Sequence, residues 1–75
     1  MKAHGYAKKQ VSAAGLLQLR EVTFSGSSAS LRDIAQLLTR AADEKDKRSR
    51  HFDHMHIREI CPDWLEKWPD IIVAE

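Results

Sequence analysis

Apolar residues recur at helical spacing between Ser30 and Arg48, and this is the most regular pattern in the chain. The predicted helix carries its apolar residues along one side: Leu31, Ile34, Ala35, Leu38, Ala41 and Ala42, with Leu37 at the edge of the stripe. Ser30 is the predicted N-cap, and Asp33 lies near the positive end of the helix. Because a helix with one apolar face needs a surface to cover, we expect a sheet packed against it.

The segment LLQLREVTF, residues 16–24, predicts a strand because β-branched and aromatic residues end it and the loop-forming cluster SGSSAS follows. Its apolar residues change phase near Arg20 and Glu21. A bulge at that point would bring four apolar side chains to one face: Leu17, Leu19, Val22 and Phe24.

Two more strands are predicted after the helix. In HFDHMHIREI, residues 51–60, Met55 and Ile57 are expected to face the helix, with Phe52, His54 and His56 outward. The final segment, DIIVAE, is apolar on both strand phases, which is typical of a strand with both faces covered. One helix covers one face, so we expect the second face to contact a partner or another copy of the chain.

Between these strands, Cys61–Pro62–Asp63 predicts a short helical turn, since proline suits the first position of a helix. Trp64 and Trp68 are four residues apart and share one face of that turn. We expect Trp64 inside the core and Trp68 partly exposed.

The resulting fold class is α+β. It is a small β-α-β-β domain in which a three-stranded, mostly antiparallel sheet carries one long helix on one face. Residues 1–14 are weakly patterned and predict a flexible N-terminal arm, so the single domain is expected over residues 15–75.

Composition narrows the classes of function. A chain of 75 residues holds one thin core, and a single cysteine allows no internal disulfide. The formal net charge of +1 with balanced signs predicts no nucleic-acid partner. No apolar run is long enough to cross a membrane, and the first residues lack the apolar segment of a secretion signal, so we expect a cytoplasmic protein without a membrane partner.

Candidate chemistry is sparse. The imidazole and carboxylate groups of His51, Asp53, His54 and His56 have metal-ligand character, but two histidines on one strand face make only half of a tetrahedral site. We therefore predict no metal and no other cofactor, and a chelator should leave the fold intact. Cys61 is expected to be a buried or interface thiol rather than a nucleophile. No catalytic residue is assigned. The residues expected to contact a partner are Phe52, His54, His56, Trp64 and Trp68.

The segments LREVTFSGS, SLRDIAQLLTRAA, FDHMHI and PDIIVAE, taken in this order, resemble small bacterial immunity proteins of the immunity protein 32 type. The resemblance covers residues 17–74. It implies a non-enzymatic protein that binds and blocks a cognate toxin, and it carries no catalytic residues to transfer.

The leading hypothesis is therefore a small immunity or inhibitor protein that acts by occlusion. Two alternatives stay open. The first is a homodimeric regulatory or accessory protein, which a phage could encode, that docks on a larger machine. The second is a metal-binding module built on the histidine cluster.

Overall fold

The long helix predicted from the apolar pattern is the central element of the structure. The computed structural model describes residues 1–11, 16–47 and 52–75. Helix α1 covers Ser28–Lys47. Ser27 caps it, because its Oγ accepts the Ser30 backbone N–H at 3.1 Å and its carbonyl oxygen accepts the Leu31 N–H at 3.0 Å. The helix thus begins before the predicted position, and the prediction of Ser30 as the cap is wrong.

The buried face of α1 is narrower than the apolar stripe in the sequence. Its buried residues follow one helical row: Ser30, Ile34, Leu37 and Ala41. Leu37, expected at the edge of the stripe, is completely buried, whereas Leu31 is 43% exposed and Leu38 is 54% exposed. The stripe is wider than the surface that packs against it, so the packed elements decide which part of it is covered.

An antiparallel hairpin precedes the helix. It consists of β1, Lys2–Val11, and β2, Leu17–Ser25. The strand β2 is confirmed. The interpretation of residues 1–14 as an arm outside the fold misses β1.

The predicted bulge in β2 is confirmed. Tyr6 lies opposite Glu21 and Ala7 lies opposite Leu19, so Arg20 is the extra residue in the ladder. Gly5 belongs to this tight region, since a Cβ there would lie 2.6 Å from the Glu21 carbonyl oxygen and 2.9 Å from Leu19 Cδ1. A side chain at position 5 would push the two strands apart beside the bulge.

After α1 the chain forms β3, His54–His56, then the single-turn helix α2, Ile57–Ile60, and finally β4, Ile72–Ala74. The strand predicted over residues 51–60 therefore ends at His56. The turn predicted to start at Cys61 is present, because the Cys61 carbonyl oxygen accepts the Trp64 N–H at 3.0 Å. It follows the unpredicted helix α2, which ends where Cys61 donates its N–H to the Ile57 carbonyl oxygen at 2.9 Å.

The four strands form two separate two-stranded antiparallel sheets, β1–β2 and β3–β4. The α+β class with one long helix is confirmed, but the single three-stranded sheet is wrong. β2 pairs with β1, its neighbour in sequence, instead of joining β3 and β4. A hairpin between neighbouring strands closes a short loop and so loses less chain entropy than a distant pairing.

The core lies between α1 and the segment from β3 to β4. Its buried cluster is centred on Leu37 and Ile57, the two fully buried large side chains, and also contains Ile34, Cys61 and Trp64. Met55 and Val73 pack against this cluster. In the part of the chain that the structure describes, no helix is long and apolar enough to cross a membrane.

Candidate functional site

The outer surface of the β3–β4 hairpin carries the predicted histidines. His54 lies opposite Ala74 and His56 opposite Ile72, while Met55 lies opposite Val73. Residues that pair across a ladder share a face, and neighbours in a strand alternate. Because Met55 and Val73 pack on the core, the outward surface consists of His54, His56, Ile72 and Ala74, which we call the histidine face. The predicted directions of Met55 and of the two histidines are confirmed.

His56 is fixed by contacts on three sides. Its Nδ1 lies 2.6 Å from Asp70 Oδ2, and its Nε2 lies 4.0 Å from Glu59 Oε1. Its ring meets that of His54 edge-on, with 4.9 Å between the ring centroids. An imidazole held in this way presents a defined edge to a partner, because it has little freedom to lose on binding.

Only one of the two carboxylate oxygens of Asp70 has a hydrogen-bond partner among the described residues. Its side chain is 24% exposed, and while Oδ2 contacts His56, Oδ1 is buried and has no hydrogen-bond partner among the described residues. A buried carboxylate oxygen without a donor is costly. Asp70 therefore has a spare acceptor oxygen next to His56.

Two exposed carboxylates lie beside the histidine face. Asp53 Oδ2 lies 2.9 Å from His54 Nδ1, and the Asp53 side chain is 89% exposed. The Glu59 side chain is 62% exposed. The surroundings of the histidine face are thus acidic, although the whole chain carries a formal charge of +1.

The other residues expected to contact a partner differ in position. The prediction that Phe52 points outward is wrong, because Phe52 is 8% exposed and Lys45 Nζ lies 5.3 Å from its ring centroid. Trp64 is buried and donates its Nε1–H to the Pro69 carbonyl oxygen at 3.0 Å. Trp68 is partly buried and meets Trp64 edge-on at 5.1 Å. The expectation of Trp64 inside and Trp68 partly exposed is confirmed.

The histidines do not assemble into a metal centre in the described part of the chain. Residues 1–11, 16–47 and 52–75 contain no group of three or more histidine, cysteine or carboxylate side chains that could hold a metal ion. His51, one member of the predicted cluster, lies outside the described residues.

Cys61 is a buried thiol in the core. Burial raises its pKa, and the nearby Asp33 carboxylate raises it further. Its Sγ donates a weak hydrogen bond to the Asp33 carbonyl oxygen at 3.8 Å. A raised pKa keeps this thiol protonated at neutral pH, which does not suit a nucleophile.

Sequence reasoning missed two side chains that shape this region. Asp70 pairs with His56 across fourteen positions in the sequence, and only the β3–β4 register would have indicated it. Arg58 donates through Nη2 to two carbonyl oxygens in the segment between Trp64 and Pro69, those of Glu66 at 2.8 Å and Trp68 at 2.6 Å. A lone arginine in a strand-like segment gave no signal for this role.

Comparison with known proteins gives one match. The family model described as immunity protein 32 matches residues 21–73, from the middle of β2 to β4. Comparisons with curated proteins and with solved structures find no match.

Proposed function

The chain belongs to the immunity protein 32 family, and from this premise we propose that it neutralises a cognate toxin by binding to it through the histidine face. The family gives the kind of partner, a protein toxin. The observation that supports the location is that exposed His54 and Ile72 share a face with partly exposed His56, which contacts Asp70 and Glu59. The face combines an exposed apolar side chain with fixed polar ones.

The side chains suit recognition of a protein surface. Ile72 is 51% exposed and supplies the apolar centre. The two imidazoles offer donors and acceptors whose positions are set before binding, so few rotamers are lost when the complex forms. Trp68, which is partly exposed and lies two residues before Asp70 in the chain, completes the proposed contact residues.

The acidic surroundings favour a basic surface on the toxin. Asp53 and Glu59 are well exposed and lie next to His54 and His56. Complementary charges at the rim of an interface speed association and suppress wrong partners. We infer that the toxin presents lysine or arginine side chains toward this face, and that inhibition is by occlusion in a stoichiometric complex without chemical change.

Co-expression of the chain with a candidate toxin tests the proposal. The chain should restore growth, and a purified, catalytically inactive toxin should bind it in a fixed ratio by calorimetry. The intact masses of both proteins should be unchanged after incubation. His56→Ala and Ile72→Asp should each weaken binding by about tenfold or more, the effect of losing roughly 1.4 kcal/mol.

Thr39→Ala is the matched control, because Thr39 is an exposed residue of α1 and not part of the histidine face. It should bind like the unchanged chain. Full protection by a folded His56→Ala/Ile72→Asp double variant would reject the histidine face as the contact surface. A toxin that is inactivated by substoichiometric amounts of the chain would reject occlusion.

A further inference from the structure

The edge of β2 that faces away from β1 is unpaired in the described residues, and its sequence is complementary to its own reversed copy. In the described residues, β2 pairs with β1 along one edge and with no strand along the other. From the ladder register and the bulge, one face of this hairpin is apolar. Its larger side chains are well exposed: Leu17 56%, Leu19 44%, Val22 54% and Phe24 38%. A two-stranded hairpin with an uncovered apolar face is marginal by itself, and three or more strands are normally needed.

The molecule exposes more surface than its size requires. A folded monomer of 8.6 kDa has an accessible surface of about 4,700 Å² on average, whereas this chain has 6065 Å². Its radius of gyration is 13.4 Å, compared with about 11 Å for a typical domain of this length. The excess surface is larger than the roughly 800 Å² that each partner loses in a standard protein interface.

We propose that β2 pairs antiparallel with β2 of a second copy of this chain, around a two-fold axis between Arg20 and Glu21, to form a four-stranded sheet. In this register Arg20 of each copy lies opposite Glu21 of the other. Moving outward along the strands, apolar residues meet apolar residues and polar meet polar: Leu19 with Val22, Gln18 with Thr23, and Leu17 with Phe24.

The bulge makes this register possible. In a regular strand Leu19 and Val22 would lie on opposite faces, and residues opposite each other in a ladder must share a face. Here Leu19 lies opposite Ala7 and Val22 lies opposite Gly5. Ala7 and Gly5 are two residues apart in β1 and so share a face, which places Leu19 and Val22 together. The bulge at Arg20 thus makes β2 match its own reversed copy.

Neighbouring registers are unfavourable. An axis through Arg20 would oppose two arginines and place Leu19 against Glu21. An axis through Glu21 would oppose two glutamates and place Leu19 against Thr23. Like charges directly opposite each other destabilise a sheet, so the register centred between Arg20 and Glu21 is selected by charge as well as by apolar pattern.

The other edge of the hairpin is less suitable for pairing. The strand β1 begins with Lys2, and lysine on an edge strand is a common protection against edge-to-edge association. β2 lacks lysine and contains the β-branched and aromatic run Val22–Thr23–Phe24. A second copy therefore pairs through β2, and the histidine face on the β3–β4 hairpin takes no part in the contact.

Charge reversal at the two central residues tests the pairing with the full chain. Arg20→Glu leaves each copy with two acids at the axis and Glu21→Arg leaves each copy with two bases, so each variant should repel its own copy. Because the two-fold axis doubles each change, the dimer dissociation constant measured by sedimentation equilibrium should rise by about tenfold or more. The double variant R20E/E21R restores opposite charges and should dimerise like the unchanged chain.

Mixing supplies the decisive measurement. In a mixture of the two single variants, two acids face two bases, so a heterodimer should form although neither variant self-associates. Circular dichroism and the fluorescence of the two tryptophans verify folding, and His56→Ala should dimerise normally, which separates this inference from the proposed toxin site. A chain that is monomeric at all concentrations would overturn the pairing. A dimer whose dissociation constant is insensitive to both charge changes would also overturn it. The same holds if the unchanged chain is a monomer and the charge variants lose toxin binding.

Discussion

Leu37 and Leu38 are chemically identical neighbours with opposite environments. Leu37 is completely buried against the core, and Leu38 is 54% exposed. Leu37→Ala should destabilise the fold by roughly 2–5 kcal/mol, because it removes buried methyl groups and leaves a cavity. Leu38→Ala should change stability by about 0.5 kcal/mol or less, as is usual for exposed positions. Urea titration of both variants measures the difference, and equal losses would show that α1 packs with a different face.

The thiol of Cys61 should make stability fall at alkaline pH. Its pKa in the folded chain is raised above the ordinary value of 9.0 by burial and by Asp33. Between the ordinary and the raised pKa, the unfolded chain has lost this proton and the folded chain has kept it. Stability from this group is therefore complete below pH 9.0 and is lost as pH rises through the folded pKa.

Cys61→Ala isolates this effect, because every other ionisable group is the same in both proteins. The urea midpoint of the unchanged chain should decrease more steeply with pH than that of Cys61→Ala. Parallel profiles would indicate that the thiol has the same pKa in both states.

Single residues could be placed from the sequence where the local pattern decides. The bulge beside Arg20 followed from a phase change within one strand. The outward histidines followed from alternation within another. Phe52 could not be placed, because its burial beside Lys45 depends on how the end of α1 meets the start of β3.

The start of α1 depends on Ser27. Its Oγ accepts the Ser30 N–H at 3.1 Å, and the Ser30 hydroxyl donates to the Ser27 carbonyl oxygen at 2.9 Å. Ser27→Ala should destabilise the chain by about 0.5–2 kcal/mol, since an orphan amide at the helix end loses its acceptor. Ser28→Ala is the matched control and should have little effect. Thermal unfolding compares them, and equal melting temperatures would show that the cap is not formed in solution.

The sequence indicated the type of most elements but not which of them pair. α1 and β2 have long, regular patterns and were predicted correctly in type. β1 was missed because the positions of its apolar face are Ala3, Gly5 and Ala7, which carry too little apolar surface to show alternation. Sheet topology depends on contacts between distant segments, which no local pattern encodes.

At the scale of the whole molecule, packing is uneven. The core joins α1 to β3, α2 and β4, whereas every described side chain of β1 and β2 is exposed. Met1, next to β1, packs against the buried cluster. The candidate toxin site lies on the well-packed part, so its side chains are supported by the core, while the hairpin buries none of its described side chains.

This difference predicts two levels of protection against amide hydrogen exchange. At concentrations low enough for the chain to be monomeric, the β1–β2 amides should exchange by local opening, much faster than amides near Leu37 and Ile57, which should exchange only by global unfolding. The amides of Phe24 and Leu37 can be compared in one experiment, because both residues lie in regular secondary structure but only Leu37 is buried. Mass spectrometry or NMR measures both. Equal protection at Phe24 and Leu37 in the monomer would show that the hairpin unfolds together with the core.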